Sequence, residues 1–94
     1  MVSYQPGAIV SRMVLKKDAG SVTLFAFDAG QELSEHTAPY DALVQVLEGA
    51  GRFRIEQDVH DLGPGDLLLL PANRPHAVQA VERFKMMLVM IRSD

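Results

Sequence analysis

Gly30-Gln-Glu-Leu-Ser-Glu-His36-Thr-Ala38-Pro39 and Gly65-Asp66-Leu-Leu-Leu-Leu-Pro71-Ala-Asn73-Arg-Pro-His76 are the two stretches on which the reading of this chain turns. Each holds one histidine in a segment framed by glycine and proline. Glycine supplies backbone conformations closed to other residues, and proline fixes φ and removes a donor, so both punctuate strands. The framing therefore predicts two strands that deliver the imidazoles of His36 and His76 to a shared interior point. Imidazoles on rigid strands suit either a metal ion or a hydrogen-bonded ligand.

Outward from these stretches, turn signals recur: Asp18-Ala19-Gly20, Asp28-Ala29-Gly30, Glu48-Gly49-Ala50-Gly51, Gly63-Pro64-Gly65-Asp66 and Pro71-Ala72-Asn73-Arg74-Pro75. Between them lie short runs at 22–27, 43–47, 52–56, 66–70, 77–81 and 84–91, rich in β-branched, aromatic or aliphatic residues. Short strands with regular turn punctuation predict an all-β barrel or sandwich. No window carries a period of 3.6 over helical length. No repeat, linker or low-complexity segment divides the chain, so residues 1–94 are expected to form one domain.

Arg52-Phe53-Arg54-Ile55-Glu56 alternates, which predicts one wet face and one buried face. Leu67–Leu70 and Met86–Ile91 are apolar on both faces. A barrel of this size has one interior, so the second apolar face needs a cover. A homodimer that buries those outer faces is the expected arrangement.

The 94 residues are 48% hydrophobic and 22% charged, an ordinary globular balance. With no cysteine, a metal must be held by histidine, carboxylate, amide or water, and disulfides are excluded. The N-terminus, Met1-Val-Ser-Tyr-Gln-Pro, lacks the basic-then-apolar pattern of a signal peptide. No apolar run approaches the roughly 20 residues that cross a membrane. The net charge is −3, and Lys16-Lys17 beside Asp18 reads as a solvated turn and not a phosphate-binding stripe. These features predict a cytoplasmic protein with neither a nucleic-acid nor a membrane partner.

The pattern Gly30-x5-His36-x-Ala38-x3-Ala42-x6-Gly49 resembles the first signature of the cupin family, where Gly, His, His, Glu and Gly hold those places. Gly65-x5-Pro71-x-Asn73-x2-His76-x3-Ala80 resembles the second, where Gly, Pro, Gly, His and Asn do. The two signatures, within 30–49 and 65–80, occur in the family's order. The resemblance, to small single-domain cupins of the cupin 2 conserved-barrel or RmlC-like type, implies a jelly-roll β-barrel, also called a double-stranded β-helix. It also implies an interior divalent metal held by three His and one Glu.

Carried across residue by residue, only His36 and His76 keep their ligating type. Ala38 stands for the second His, Ala42 for the Glu, Asn73 for a Gly and Ala80 for the final Asn. Two protein ligands leave the other positions of an Fe, Mn, Zn, Ni or Cu ion to water or an organic molecule, so weak binding is expected. Asp41, next to the lost Glu, replaces it only if the strand bulges, because alternation sends it to the opposite face. Tyr40 shares parity with Ala38 and Ala42, while Val44 and Val46 are expected to face inward and Gln45 outward. The candidate pocket is therefore His36 and His76 with Tyr40, Asp41, Val44 and Val46.

The remaining notable residues have plainer expectations. His60 reads as a solvated histidine of an acidic hairpin. Met86, Met87 and Met90 read as core or interface fillers, and Phe25, Phe27, Phe53 and Phe84 as the barrel filling. Three functions stay open. One is a cupin barrel that binds a divalent metal weakly together with a small organic ligand. Another is a metal-free pocket, either a small-molecule binder or an isomerase-like enzyme using a histidine near neutrality. The third is a non-catalytic interaction module. No residue is assigned a catalytic role.

Overall fold

The computed structural model describes residues 2–92. Seven strands carry the fold: β1 Ile9–Lys17, β2 Gly20–Phe27, β3 Glu32–His36, β4 Tyr40–Ile55, β5 Asp58–Leu62, β6 Leu67–Leu70 and β7 His76–Arg92. There is no helix among the described residues. All pairings are antiparallel.

The long strands β4 and β7 pair along their whole length and belong to both layers of the barrel. Their outer halves, β4 before Glu48 and β7 after Phe84, join β6, β2 and β1 in the order β6-β4-β7-β2-β1. Their other halves join β3 and β5 in the order β3-β7-β4-β5. The result is the all-β jelly-roll barrel.

The expected turn at Glu48–Gly51 does not exist. β4 runs through it, and the sequence there marks the corner where both long strands pass from one layer to the other. Gly49 pairs with Phe84 and Gly51 with Ala80, so the single residue Ala50 faces Val81, Glu82 and Arg83 on β7. Such a bulge bends the pair and increases its twist. Gly49 has φ +77, and a Cβ there would overlap the Arg83 carbonyl oxygen and lie 2.7 Å from Phe84 Cα. What reads locally as a turn is a close approach of two backbones. The runs 77–81 and 84–91 are accordingly one strand.

The other turns follow local chemistry. Pro64-Gly65 forms a turn closed by the Asp66 N–H donating to the Gly63 carbonyl at 3.1 Å, with Gly65 at φ +85. Asn73 adopts φ +64 where the cupin signature has glycine, and asparagine is among the few other residues that tolerate this region. The Asn73 N–H donates to the Ala38 carbonyl at 2.8 Å, tying the β6–β7 loop to the segment after His36.

Phe27, Phe53, Phe84, Val44, Val46 and Met86 are fully buried. Phe27 stacks on Phe84 at 4.5 Å, and Phe53 meets Phe84 edge-on at 5.9 Å. Burial of each such side chain contributes on the order of 1.5–3 kcal/mol. These rings fill the barrel beside the corner, and Phe25 is half-buried at their margin.

A second cluster lies on the outer face of the larger layer. Val2 is buried there against Leu24 and Ala26, with Tyr4, Leu47 and Met87 around them. The Tyr4 hydroxyl donates to Glu48 Oε2 at 2.9 Å, while Arg83 and Lys85 lie over its ring at 5.4 and 5.0 Å. Burial, ahead of the Glu48 contact, pushes the Tyr4 phenol up to about 12. The N-terminal segment thus covers part of this outer face. The rest is uncovered: the register sets Leu69, Leu43, Val89, Val22 and Leu15 side by side across β6, β4, β7, β2 and β1.

Candidate functional site

His36 ends β3 and His76 begins β7, and the two are cross-strand partners. Partners in a ladder share a face, so both imidazoles stand side by side. Their ring centroids are 4.4 Å apart with planes at 67°. Each ring is fixed the same way: His36 Nδ1 lies 2.8 Å from the Ser34 carbonyl and His76 Nδ1 lies 3.2 Å from the Arg74 carbonyl. A carbonyl only accepts, so each Nδ1 is the donor, and on a neutral ring the lone pair is left on Nε2. This is the arrangement by which proteins orient histidine ligands.

The environments of the two rings differ. His76 is buried, whereas His36 is exposed at the rim. Burial lowers the His76 pKa from its ordinary value, the Arg74 carbonyl opposes this, and nearby His36 lowers it further. His76 is therefore a neutral imidazole at neutral pH, fit to accept a hydrogen bond or bind a metal.

The imidazoles border an interior cavity of about 60 Å³. Across the barrel, register sets Met90 beside Ala42, Leu88 beside Val44 and Met86 beside Val46. Tyr40 and Val44 line the cavity, together with Ala38 and Ala42. Two candidates do not. Asp41 faces outward and accepts a hydrogen bond from the Ala72 N–H at 2.9 Å, because alternation holds without a bulge at that position. Val46 is fully buried in the core beside the corner and does not border the cavity.

The sequence reading did not place Leu33, Leu70, Val78, Met86, Leu88 and Met90 on the cavity wall, where they lie. Glu32 and Glu35 are exposed residues of β3. His60 lies in the β4–β5 hairpin but is half-buried on β5 opposite Phe53, not fully solvated, and does not line the cavity.

A larger open groove of about 440 Å³ lies on the outside of the β3-β7-β4-β5 layer. Its arginines are engaged with carboxylates, Arg52 with Asp61 at 2.7 Å and Arg54 with Glu35 at 2.8 Å. Its chemistry is that of a paired, solvated surface. The histidine cavity instead presents two imidazoles to an almost wholly apolar space.

The three-histidine, one-glutamate centre does not fit this cavity. Ala38 and Ala42 on its wall offer no donor atom, and no group of three or more His, Cys, Asp or Glu converges among the described residues. The protein contributes two imidazoles, and any ion there needs its other ligands from elsewhere.

Two layers, a corner glycine and paired histidines inside the open end define a cupin barrel. Residues 18–93 match the AraC-like ligand-binding domain, and the chain belongs to that family. Among solved structures, it is similar to a cupin 2 conserved barrel domain protein from Leptotrichia buccalis, at 40% identity and a TM-score of 0.93. That match covers 97% of this chain but 44% of the Leptotrichia chain, so this chain spans less than half of it. A conserved protein of unknown function from Streptococcus pyogenes is 33% identical, with 96% of this chain and 79% of that one covered and a TM-score of 0.91. A cupin superfamily protein from Desulfitobacterium hafniense is 27% identical, covering 98% and 84%, at a TM-score of 0.94. No curated protein matches the chain.

Proposed function

We propose that this domain binds a small organic ligand in the cavity behind His36 and His76. The two Nε2 atoms hold a divalent transition-metal ion weakly, its remaining positions filled by water or by that ligand. The observation that carries this reading is the matched fixing of the rings, with both Nδ1–H groups committed to backbone carbonyls and both Nε2 atoms free. Fixed rings lower the ordering cost of binding.

The cavity limits the occupant. A water needs at least about 10–15 Å³ of such volume, so about 60 Å³ takes a few non-hydrogen atoms. Drug-sized pockets run to roughly 300–1,000 Å³. The ligand is therefore a small molecule, or one narrow group of a larger molecule entering past the exposed His36. Titration calorimetry with Zn(II), Ni(II) and Mn(II) tests the metal. The expected result is one weak site lost in both His36→Ala and His76→Ala; no heat with any of these ions sinks the metal part of the reading.

A specific observation favours a metal-free form of the same function. Apart from the imidazoles and the Tyr40 phenol, the wall is alanine, valine, leucine and methionine. In that form the two Nε2 atoms accept hydrogen bonds from a ligand hydroxyl or acid, and apolar contact supplies the rest. A rise in melting temperature with small hydroxy acids or alcohols in metal-free buffer, absent in His76→Ala, distinguishes it.

We also propose that a second copy covers the apolar strip on the outer face. Leu69, Leu43 and Leu15 are 56%, 38% and 50% exposed, with Leu67 and Ile91 near them at 58% and 57%. Five strands at about 4.8 Å and six residues at about 3.3 Å make the strip about 24 by 20 Å, or about 480 Å² in projection. Side-chain relief extends it toward the roughly 800 Å² each partner of a stable pair buries. Light scattering is expected to give a dimer that Leu43→Glu/Leu69→Glu dissociates; a wild-type monomer at micromolar concentration contradicts the pairing.

A further inference from the structure

Met90 adds a soft donor to the two hard-to-borderline imidazoles. It is the register partner of Ala42, the position at which the cupin signature has its glutamate. It lines the same cavity as His36 and His76, and Met86 stands four residues before it on the same wall. The residues on the wall of a cavity of about 60 Å³ face one small common space, part of which the thioether crosses to reach an ion at the imidazoles. The unbranched methionine side chain, with its rotatable bonds, can close such a gap.

The donor set has a definite preference. Thioether sulfur is soft and selects Cu(I), whereas carboxylate and water select harder ions. No carboxylate lines the cavity, and beside the single Tyr40 phenol stand two thioethers, Met86 and Met90, so its donors beyond the imidazoles lean toward a soft ion. Low charge also matters: a monovalent ion loses less hydration free energy than a divalent one on entering an apolar space.

We infer that the cavity is a Cu(I) site in which Met90 completes, with its thioether, a three-coordinate set begun by His36 and His76. The inference rests on the reading that the histidine pair holds a metal, and it replaces the weak divalent ion by a tighter monovalent one. Met86, buried beside it, is the reserve donor.

The test is anaerobic titration of the full chain with Cu(I) against a chromophoric Cu(I) chelator, with Zn(II) titrated in parallel. Met90→Leu is close to volume-conserving and should keep the fold. Met87→Leu removes a thioether that packs on the outer face beside Leu24 and serves as the control. The expected result is one Cu(I) per chain, weakened at least tenfold in Met90→Leu, with Zn(II) affinity unchanged and Met87→Leu like wild type. Copper-edge absorption should show a sulfur scatterer that Met90→Leu loses. If Met90→Leu leaves both Cu(I) affinity and the sulfur signal unchanged while His36→Ala removes Zn(II), the thioether inference fails and the histidine reading stands. If neither ion binds the wild type, both fail.

Discussion

Replacing Gly49 by alanine asks whether the corner between the layers is held by close backbone approach. The substitution carries two costs. An alanine at φ +77 is strained by about 1–2 kcal/mol. Its methyl would also overlap the Arg83 carbonyl and crowd Phe84 Cα at 2.7 Å, both backbone atoms of β7 that can yield only if the two long strands part. Overpacking of that kind costs about 1–3 kcal/mol. The sum, about 2–5 kcal/mol, is a large share of the roughly 5–14 kcal/mol expected for 94 residues. Gly30 supplies the control: its φ is +82, and a methyl there meets nothing within 4 Å. Urea denaturation followed by circular dichroism should show Gly30→Ala losing only the strain, and Gly49→Ala losing at least about 1 kcal/mol more at an unchanged m-value. Equal losses at the two glycines would refute the close-approach account of the corner.

The His76 imidazole makes stability depend on pH, and the sign follows from its depressed pKa. The fold favours the neutral ring, so the contribution is complete above the ordinary value of 6.5 and fades as pH falls through it toward the folded-state value. Melting scans should therefore show a loss below about pH 6.5 that His76→Gln flattens; the same slope in that variant would contradict it. Restoring the two missing donors as Ala38→His/Ala42→Glu should lower stability without metal, since it puts a carboxylate into an apolar cavity. Zn(II) should then bind at least a hundredfold more tightly than to wild type, by calorimetry. No gain in affinity would mean that these positions do not converge on the histidine pair.

The barrel was legible because its signals are local. Period-two alternation at Arg52–Glu56, the Pro64-Gly65 turn and the two histidine-bearing signatures each state a structure within a few residues. The corner was not legible in the same way. Gly49-Ala50-Gly51 has turn composition, yet its glycine is required by Arg83 and Phe84, more than thirty positions away. The exposed edge strand β1 offers little inward alternation and left no run to notice.

Parity decided the site. It put Tyr40 and Val44 inward and Asp41 outward, as the structure has them. On β7 the apolar run on both faces concealed which residues look inward. One extra residue of β4 between Val46 and Glu48 switches the inward positions of β4 from Ala42, Val44 and Val46 to Gly51, Phe53 and Ile55. At the corner β7 instead carries a surplus of two residues between Phe84 and Ala80, so its own alternation survives. Even-numbered residues from His76 through Val78 and on to Met86, Leu88 and Met90 therefore share the interior face. Met90 was present in that pattern, but its meaning depends on the register that sets it beside Ala42.

The central claim is that His36 and His76 form one site through two free Nε2 atoms. Long-range proton–nitrogen NMR correlation of the imidazoles reads this directly, first in the apo protein and then during addition of Zn(II). The account predicts the Nδ1–H tautomer for both histidines in the apo protein, and both Nε2 resonances moving together as the ion binds. An Nε2–H tautomer at either ring, or a shift at one histidine without the other, would contradict it.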